Sequence, residues 1–190
     1  MKRAAIGIRA HSGWGALVAV SGNPAAPEVI DRRRIEIIDP HIQGAQQPYH
    51  FAQEQTPAQA ERYLTDCAAV SERLAMAAVR EAVAALQRRE YDVAGCAILL
   101  GSGRSLPPLS KILASHALIH TAEGVFFREA FSKACERLKI PVMGVIEREL
   151  DASERTRIAA LGRSLGPPWT TDQKAAAQAA LLVLTHAKPK

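Results

Sequence analysis

The chain has 190 residues and a formal net charge of +5. Hydrophobic residues make up 48% of it and charged residues 23%, which is typical of a globular domain with a sizeable core and excludes an intrinsically disordered chain. No apolar run approaches the roughly 20 residues that cross a bilayer, and the basic N-terminus has no signal-peptide core. We therefore expect a cytoplasmic protein with no membrane partner, whose three separate cysteines serve as core residues.

The first part of the chain predicts three consecutive strands. Isoleucines alternate with other residues in the first and third of them, which is the period of a strand. Gly13 and Gly15 separate the first two strands and can adopt positive φ, so we expect a hairpin with a somewhat long loop. The predicted strands span residues 4–10, 16–20 and 28–38, all antiparallel.

Residues 39–56 have no hydrophobic periodicity and are predicted to form a loop. The loop contains Tyr49, His50 and Phe51, and loops of this length in compact domains are often functional. His50 could join a site as a residue of a lid. The alternative is a surface crossing that the two aromatic side chains anchor.

The rest of the chain alternates helices with strands. Thr56, Pro57 and Gln59 form a helix start with a capping box, and a run of apolar residues from Val93 indicates an interior strand. The predicted elements are a helix over 57–89, a strand over 92–100, a helical segment from Lys111 capped by Ser110 with a break or close packing at Gly124, a helix over 127–138, a strand over 140–146, a helix from Asp151 to before Gly166, and a last helix over 172–185 capped by Thr171.

Three antiparallel strands followed by alternating helices and strands predict a mixed five-stranded sheet with helices on both faces, a three-layer α/β architecture. This is the topology of the ribonuclease H-like superfamily. We expect a single ribonuclease H-like domain over residues 1–190, with a frayed tail from residue 185.

Three segments resemble the Holliday-junction resolvase branch of that superfamily. Ile6-Gly-Ile-Arg9-Ala-His-Ser-Gly13 is similar to the Gly-Ile-Asp-x-Gly opening of the branch. Residues 167–186 resemble its last helix, which begins with acidic residues and continues into alanine and leucine, and residues 124–142 resemble its glycine-broken helix and following strand. The resemblance implies a nuclease with two divalent metals, held by carboxylates at strand one, strand four and the last helix.

This chain departs from that pattern at two of the three acidic positions. Arg9 stands at the position in strand one, and strand four ends at Leu99 and Leu100 without an acid, so that only Asp172 matches. An arginine repels a metal by charge. We therefore expect the two-metal site to be absent or rebuilt.

The predicted topology brings the ends of strands one and four close to the start of the last helix. Guanidinium groups and the backbone N–H groups of residues 101–103 could bind a phosphate or a carboxylate there. The alternative is an ion pair between Arg9 and Asp172, and an acid in the first helical turn is also favoured by the helix dipole. The candidate ligand-binding residues are Arg9, His11, Ser12, Ser102 and Arg104, near Asp172.

His116, His120 and Glu123 are spaced four and three residues apart and would share one face of a continuous helix. Two imidazoles and a carboxylate could bind a divalent metal (zinc, manganese or magnesium) with a position left for water. Alternatively, Glu123 could orient His120 as a general base. A third interpretation is structural, with one histidine packed in an interface and Glu123 solvated or capping a local break.

Three functional hypotheses follow. The first is an atypical enzyme that acts on a phosphate-containing substrate such as a nucleic acid, with His120, Glu123 and Asp172 as candidate catalytic groups. The second is a non-catalytic nucleotide- or nucleic-acid-binding module that has lost the acids. The third is a homo-oligomeric scaffold, for which the alanine-rich long helix could supply a homodimer surface. The sequence does not identify the substrate or the metal.

Overall fold

The computed structural model describes residues 1–101 and 105–186. Its first part is the expected antiparallel meander of three strands, β1 (Lys2–His11), β2 (Trp14–Asn23) and β3 (Ala26–Glu36). All three are longer than the apolar runs that predicted them or shifted relative to those runs. Only Ser12 and Gly13 join β1 to β2, with Gly13 at φ +83°, so the expected long hairpin loop is a two-residue turn.

The remaining elements follow the predicted order, with some differences. The helical segment predicted from Lys111 with Ser110 as its cap begins at Leu109, after Pro108, and is divided at residues 114–115. A short helix, α1, lies inside the segment that was predicted to be a loop. Helix α4 runs through Gly124 without a break. The cap of α6 is Thr170 rather than Thr171, because the Thr170 hydroxyl accepts the N–H of Gln173 at 3.2 Å. The elements are α1 (Pro48–Gln53), α2 (Pro57–Arg88), β4 (Tyr91–Leu100), α3 (Leu109–Leu113), α4 (His116–Arg137), β5 (Val142–Ile146), a 3₁₀ turn (Glu147–Glu149), α5 (Glu154–Leu165) and α6 (Thr171–His186).

The five strands form one mixed sheet in the order β3-β2-β1-β4-β5. β1 and β3 both pair antiparallel with β2, while β4 pairs parallel with β1 and β5 pairs parallel with β4. The topology expected from the sequence is therefore confirmed. β1, β3, β4 and β5 all point the same way, so their last residues meet at one edge, which we call the carboxyl edge.

Alternation along the strands divides the core into two layers. Ile6 and Ile8 pack toward α2 and α4 with Phe127 and Phe131, while Ala5 and its neighbours on the other face pack toward α5 and α6. The three cysteines are free and buried, as expected of core residues. In the described part of the chain, no helix is both long and apolar enough to cross a membrane.

Helix α6 lies unusually close to β1. Its sheet-facing side is built from alanines, and a Cβ added to Gly7 would lie only 1.9 Å from the carbonyl oxygen of Ala176. The backbone of α6 cannot move aside as a flexible side chain can. The short distance between α6 and β1 is therefore possible only because Gly7 has no Cβ. The same contact fixes where the first turn of α6 reaches the carboxyl edge.

We expect Gly7→Ala to lower the free energy of unfolding by about 1–3 kcal/mol or more, because the new methyl group forces α6 away from the sheet. Gly95→Ala is the comparison on the same sheet, since its nearest atoms would lie 3.0 Å away and one of them belongs to the side chain of Val183. Urea unfolding of both variants measures the difference. Equal decreases in the free energy of unfolding for the two variants would contradict the close packing of α6 on β1.

Candidate functional site

Arg9 lies at the end of β1 and joins two acidic residues from other elements. Its Nε donates to Glu147 Oε2 at 3.2 Å, and its Nη2 lies 2.7 Å from Glu147 Oε1. Its Nη1 donates to the Asp172 carboxylate in the first turn of α6. The arginine side chain is 23% exposed, so this network is partly shielded from water. One guanidinium is therefore shared by the carboxylates of Asp172 and Glu147.

The two-metal site implied by the fold resemblance does not fit these residues. The position between Asp172 and Glu147 is occupied by the positive charge of Arg9, which repels a divalent cation. β4 contributes no carboxylate at its end, where Leu99 is buried. The geometry agrees with the alternative that Arg9 and Asp172 form a structural ion pair.

The other residues predicted for this edge have different positions. His11 Nε2 lies 3.1 Å from Asp172 Oδ1, although the two are not aligned as a hydrogen bond. Ser12 is exposed in the β1–β2 turn. Ser102 and Arg104, which were also expected here, lie outside the described residues.

The indole of Trp14 contacts side chains from both neighbouring strands. The imidazole of His11 stacks on it with centroids 4.3 Å apart and planes inclined by 14°. The guanidinium carbon of Arg34 lies 3.7 Å from the ring centroid. These partners come from β1 and β3, the strands that flank β2.

A three-histidine cluster forms where α1 meets the start of α4. Its members are His50, His116 and His120, whose ligand nitrogens all lie within 4.8 Å of one another. The Nε2 atoms of His116 and His120 are 3.0 Å apart, and the His50 ring centroid is 4.8 Å from that of His120. His116 and His120 share a face of α4, as their spacing predicted. The sequence did not assign His50 a ligand role.

Glu123 lies beside the cluster and orients His50. It is 3% exposed, and its Oε1 accepts the His50 ring nitrogen Nδ1 at 2.9 Å and the His50 backbone N–H at 3.3 Å. A carboxylate without a proton only accepts, so in the neutral imidazole tautomer that makes this bond the proton is on Nδ1 and Nε2 has the lone pair. This is the arrangement by which proteins fix metal-binding histidines. In this geometry Glu123 is the hydrogen-bond partner of His50, whereas the sequence suggested that Glu123 is itself a metal ligand.

The cluster has the dimensions of a metal site with three imidazole ligands. Tetrahedral Zn–N bonds of about 2.0–2.1 Å place ligand nitrogens about 3.3 Å apart, so small rotations of the exposed rings would complete the site. His50 is half-buried while His116 and His120 are exposed, which leaves one side open for water or substrate. Among the described residues, this is the one group of three such side chains close enough to hold an ion.

The buried surroundings of the site change the pKa values of two neighbours. Burial raises the pKa of the Tyr49 hydroxyl, and the negative charges of Glu129 and Glu123 raise it further. Burial lowers the pKa of the Arg128 guanidinium, while the negative charge of Glu147 opposes that effect. Sequence reasoning missed Glu147 and Arg128, because both resemble the ordinary solvated charges of a turn and a helix.

We expect Glu123→Gln to weaken zinc binding by about 10- to 100-fold, because an amide holds the His50 tautomer less firmly than a carboxylate. Competition against a fluorescent chelator measures the affinity. Glu129→Gln is the matched control, since it removes an exposed acid from the same helix. Equal affinities for the two variants would contradict the positioning role of Glu123.

The comparisons with known proteins place the fold. No known sequence family and no curated protein matches the chain. A structure of Thermus thermophilus RuvC aligns over 98% of this chain and 99% of its own, with a TM-score of 0.50 and 15% identity. T. thermophilus RuvC in complex with a Holliday junction substrate aligns over 94% of this chain and 90% of its own, with a TM-score of 0.50 and 14% identity.

A third solved structure, an Aquifex aeolicus member of the Ppx/GppA family, aligns over 88% of this chain and 41% of its own with a TM-score of 0.37 and 11% identity. That likeness is too weak to carry an argument. The two full-length alignments and the strand order agree with the resemblance seen in the sequence. The protein thus has a ribonuclease H-like fold that resembles the resolvase branch.

Proposed function

We propose that this protein is a metal-dependent enzyme that acts on nucleic acid, with one transition metal bound by the three-histidine cluster. The observation that carries the proposal is the hydrogen bond from His50 Nδ1 to the buried carboxylate of Glu123. The same bond satisfies the buried acid and also fixes the tautomer in which His50 can bind a metal through Nε2.

The ligand set favours zinc over magnesium. Magnesium prefers oxygen ligands in an octahedron, whereas neutral imidazoles suit zinc and related transition ions. Three protein ligands with an open fourth position are typical of catalytic zinc, which when bound activates water near neutral pH. His116 and His120 would be direct ligands together with His50. Glu123 would hold His50 in place.

Two observations support a phosphate-containing substrate. The cluster lies near the carboxyl edge, because α1 follows the end of β3 and α4 follows the end of β4. The chain also has a net charge of +5, which favours polyanions. One of the structurally similar RuvC proteins is bound to a Holliday junction, so nucleic acid is the first substrate to test. The predicted acid-base role of Asp172 is not part of this proposal, because Arg9 pairs with its carboxylate.

A second candidate is a nucleic-acid-binding module without catalysis. The observation that favours it is the Arg9 network. The ion pairs of Arg9 occupy the position at which the metals were expected. This candidate predicts binding that weakens steeply as salt rises, without turnover. The homodimer proposed from the long helix α2 is compatible with either candidate.

The first prediction of the proposal concerns metal content. Untagged protein purified without chelators is expected to contain close to one zinc per chain by elemental analysis, and His116→Ala/His120→Ala to contain almost none, because two of three ligands are gone. His41→Ala is the matched control, since it removes an exposed histidine outside the cluster. Retention of zinc by the double variant would exclude the cluster as its site.

The second prediction separates the two candidate functions. Zinc-loaded protein is expected to hydrolyse single-stranded or four-way-junction DNA, and His120→Ala to be slower by about 100-fold or more, because it removes a metal ligand. Strand cleavage on denaturing gels, with His41→Ala as control, gives the rates. Salt-sensitive binding with no cleavage by the zinc-loaded protein would instead favour the non-catalytic module.

A further inference from the structure

Arg128 lies on α4 with its guanidinium directed toward the carboxyl edge. A Cβ added to Gly124, one turn earlier on the same helix, would lie 2.9 Å from its Nη2. A Cβ added to Gly101, just after β4, would lie 3.3 Å from the same atom. The guanidinium therefore fits between two positions that have no side chain, one on a helix and one at the end of a strand.

The charge of Arg128 has little compensation. Among residues 1–101 and 105–186, no hydrogen bond or ion pair is formed by its guanidinium, although the side chain is half-buried. Glu147 attracts it from a distance, but both oxygens of that carboxylate already face Arg9. A half-buried cation without a partner costs free energy, which an anion at this position would recover.

The position relates Arg128 to the three-histidine cluster. Side chains on a helix point toward its N-terminus, so the guanidinium sits at the level of Gly124. Gly124 is four residues after His120, which corresponds to about 6 Å along the helix axis. A group bound to Arg128 would lie about one helical turn along α4 from the open side of the cluster.

We propose that Arg128 binds a phosphate group at the carboxyl edge. A guanidinium offers forked N–H donors that match phosphate oxygens, and the two glycines leave room for this guanidinium at the end of β4. Two sources share this chemistry, a phosphodiester of a nucleic acid backbone and free phosphate. The assignment to a substrate phosphodiester rests on the proposed function, whereas phosphate binding itself does not require the metal.

Arg128→Gln tests the proposal, and Arg137→Gln is the matched control because it removes an exposed arginine near the opposite end of α4. Inorganic phosphate is expected to raise the melting temperature of the wild type and of Arg137→Gln but hardly that of Arg128→Gln. A mixed-sequence single-stranded oligonucleotide is expected to bind Arg128→Gln about tenfold more weakly. The slope of log affinity against log salt should fall by about one.

The remaining outcomes are also decisive. In anion-free buffer, the melting temperature of Arg128→Gln should equal or exceed that of the wild type, because the substitution removes an uncompensated charge. A lower melting temperature, or failure to fold, would assign Arg128 a structural role and overturn the proposal. Equal phosphate responses of the two arginine variants would overturn it as well. A lost phosphate response with unchanged oligonucleotide binding would support free phosphate as the ligand. His120→Ala should keep the phosphate response, so failure of the metal proposal is separable from failure here.

Discussion

The candidate site depends on one buried carboxylate. Glu123 is almost fully buried, and the described chain satisfies it with the ring and the backbone N–H of His50. Burying an acid costs free energy unless it is hydrogen-bonded, so α1 stabilises α4 by supplying the hydrogen bonds from His50 to Glu123. The same bonds hold α1 against α4. A six-residue helix is marginal alone. The contact that holds it in place also points a histidine at two others.

The carboxyl edge of the sheet carries two separate arrangements of charge. At the end of β1, Arg9 binds Glu147 and Asp172 and leaves no place for a divalent cation between them. Between α1 and α4, three imidazoles converge, and within the described residues the Arg128 guanidinium forms no hydrogen bond or ion pair. The resemblance in fold therefore does not extend to the chemistry of the position that carries the metals in the resolvase branch. The histidine cluster lies at a different place, between α1 and the start of α4.

The sequence predicted the sheet and most helices because their signals are local. Alternating isoleucines, a capping box at Thr56 and a buried apolar run each specify an element within a few residues. Strand lengths were less predictable, because polar residues such as Lys2 and Asn23 pair as well as apolar ones once the ladder has formed. Helix α1 was not predicted, since its glutamine-rich surroundings show no stripe and its contacts are tertiary.

The same distinction between local and tertiary signals applies to the site. The spacing of His116 and His120 places them on one helical face, and the sequence was sufficient to predict this. His50 is 73 residues from Glu123 and belongs to a segment without periodicity, so no pattern connects the two. The pairing of Arg9 with Asp172 was one of two alternatives, because a topology argument brings charges together without deciding whether they bind each other or a ligand. Glu147 could be found only once β5 had been placed beside β4.

We propose that His50, which Glu123 orients, holds one transition metal together with His116 and His120, at a place separate from the Arg9 network. X-ray diffraction data collected on both sides of the zinc absorption edge test it most directly, using crystals of zinc-loaded protein. One anomalous peak is expected about 2.0–2.1 Å from three histidine Nε2 atoms, with Glu123 still hydrogen-bonded to His50. A peak between Asp172 and Glu147, or no peak at the histidines, would contradict it.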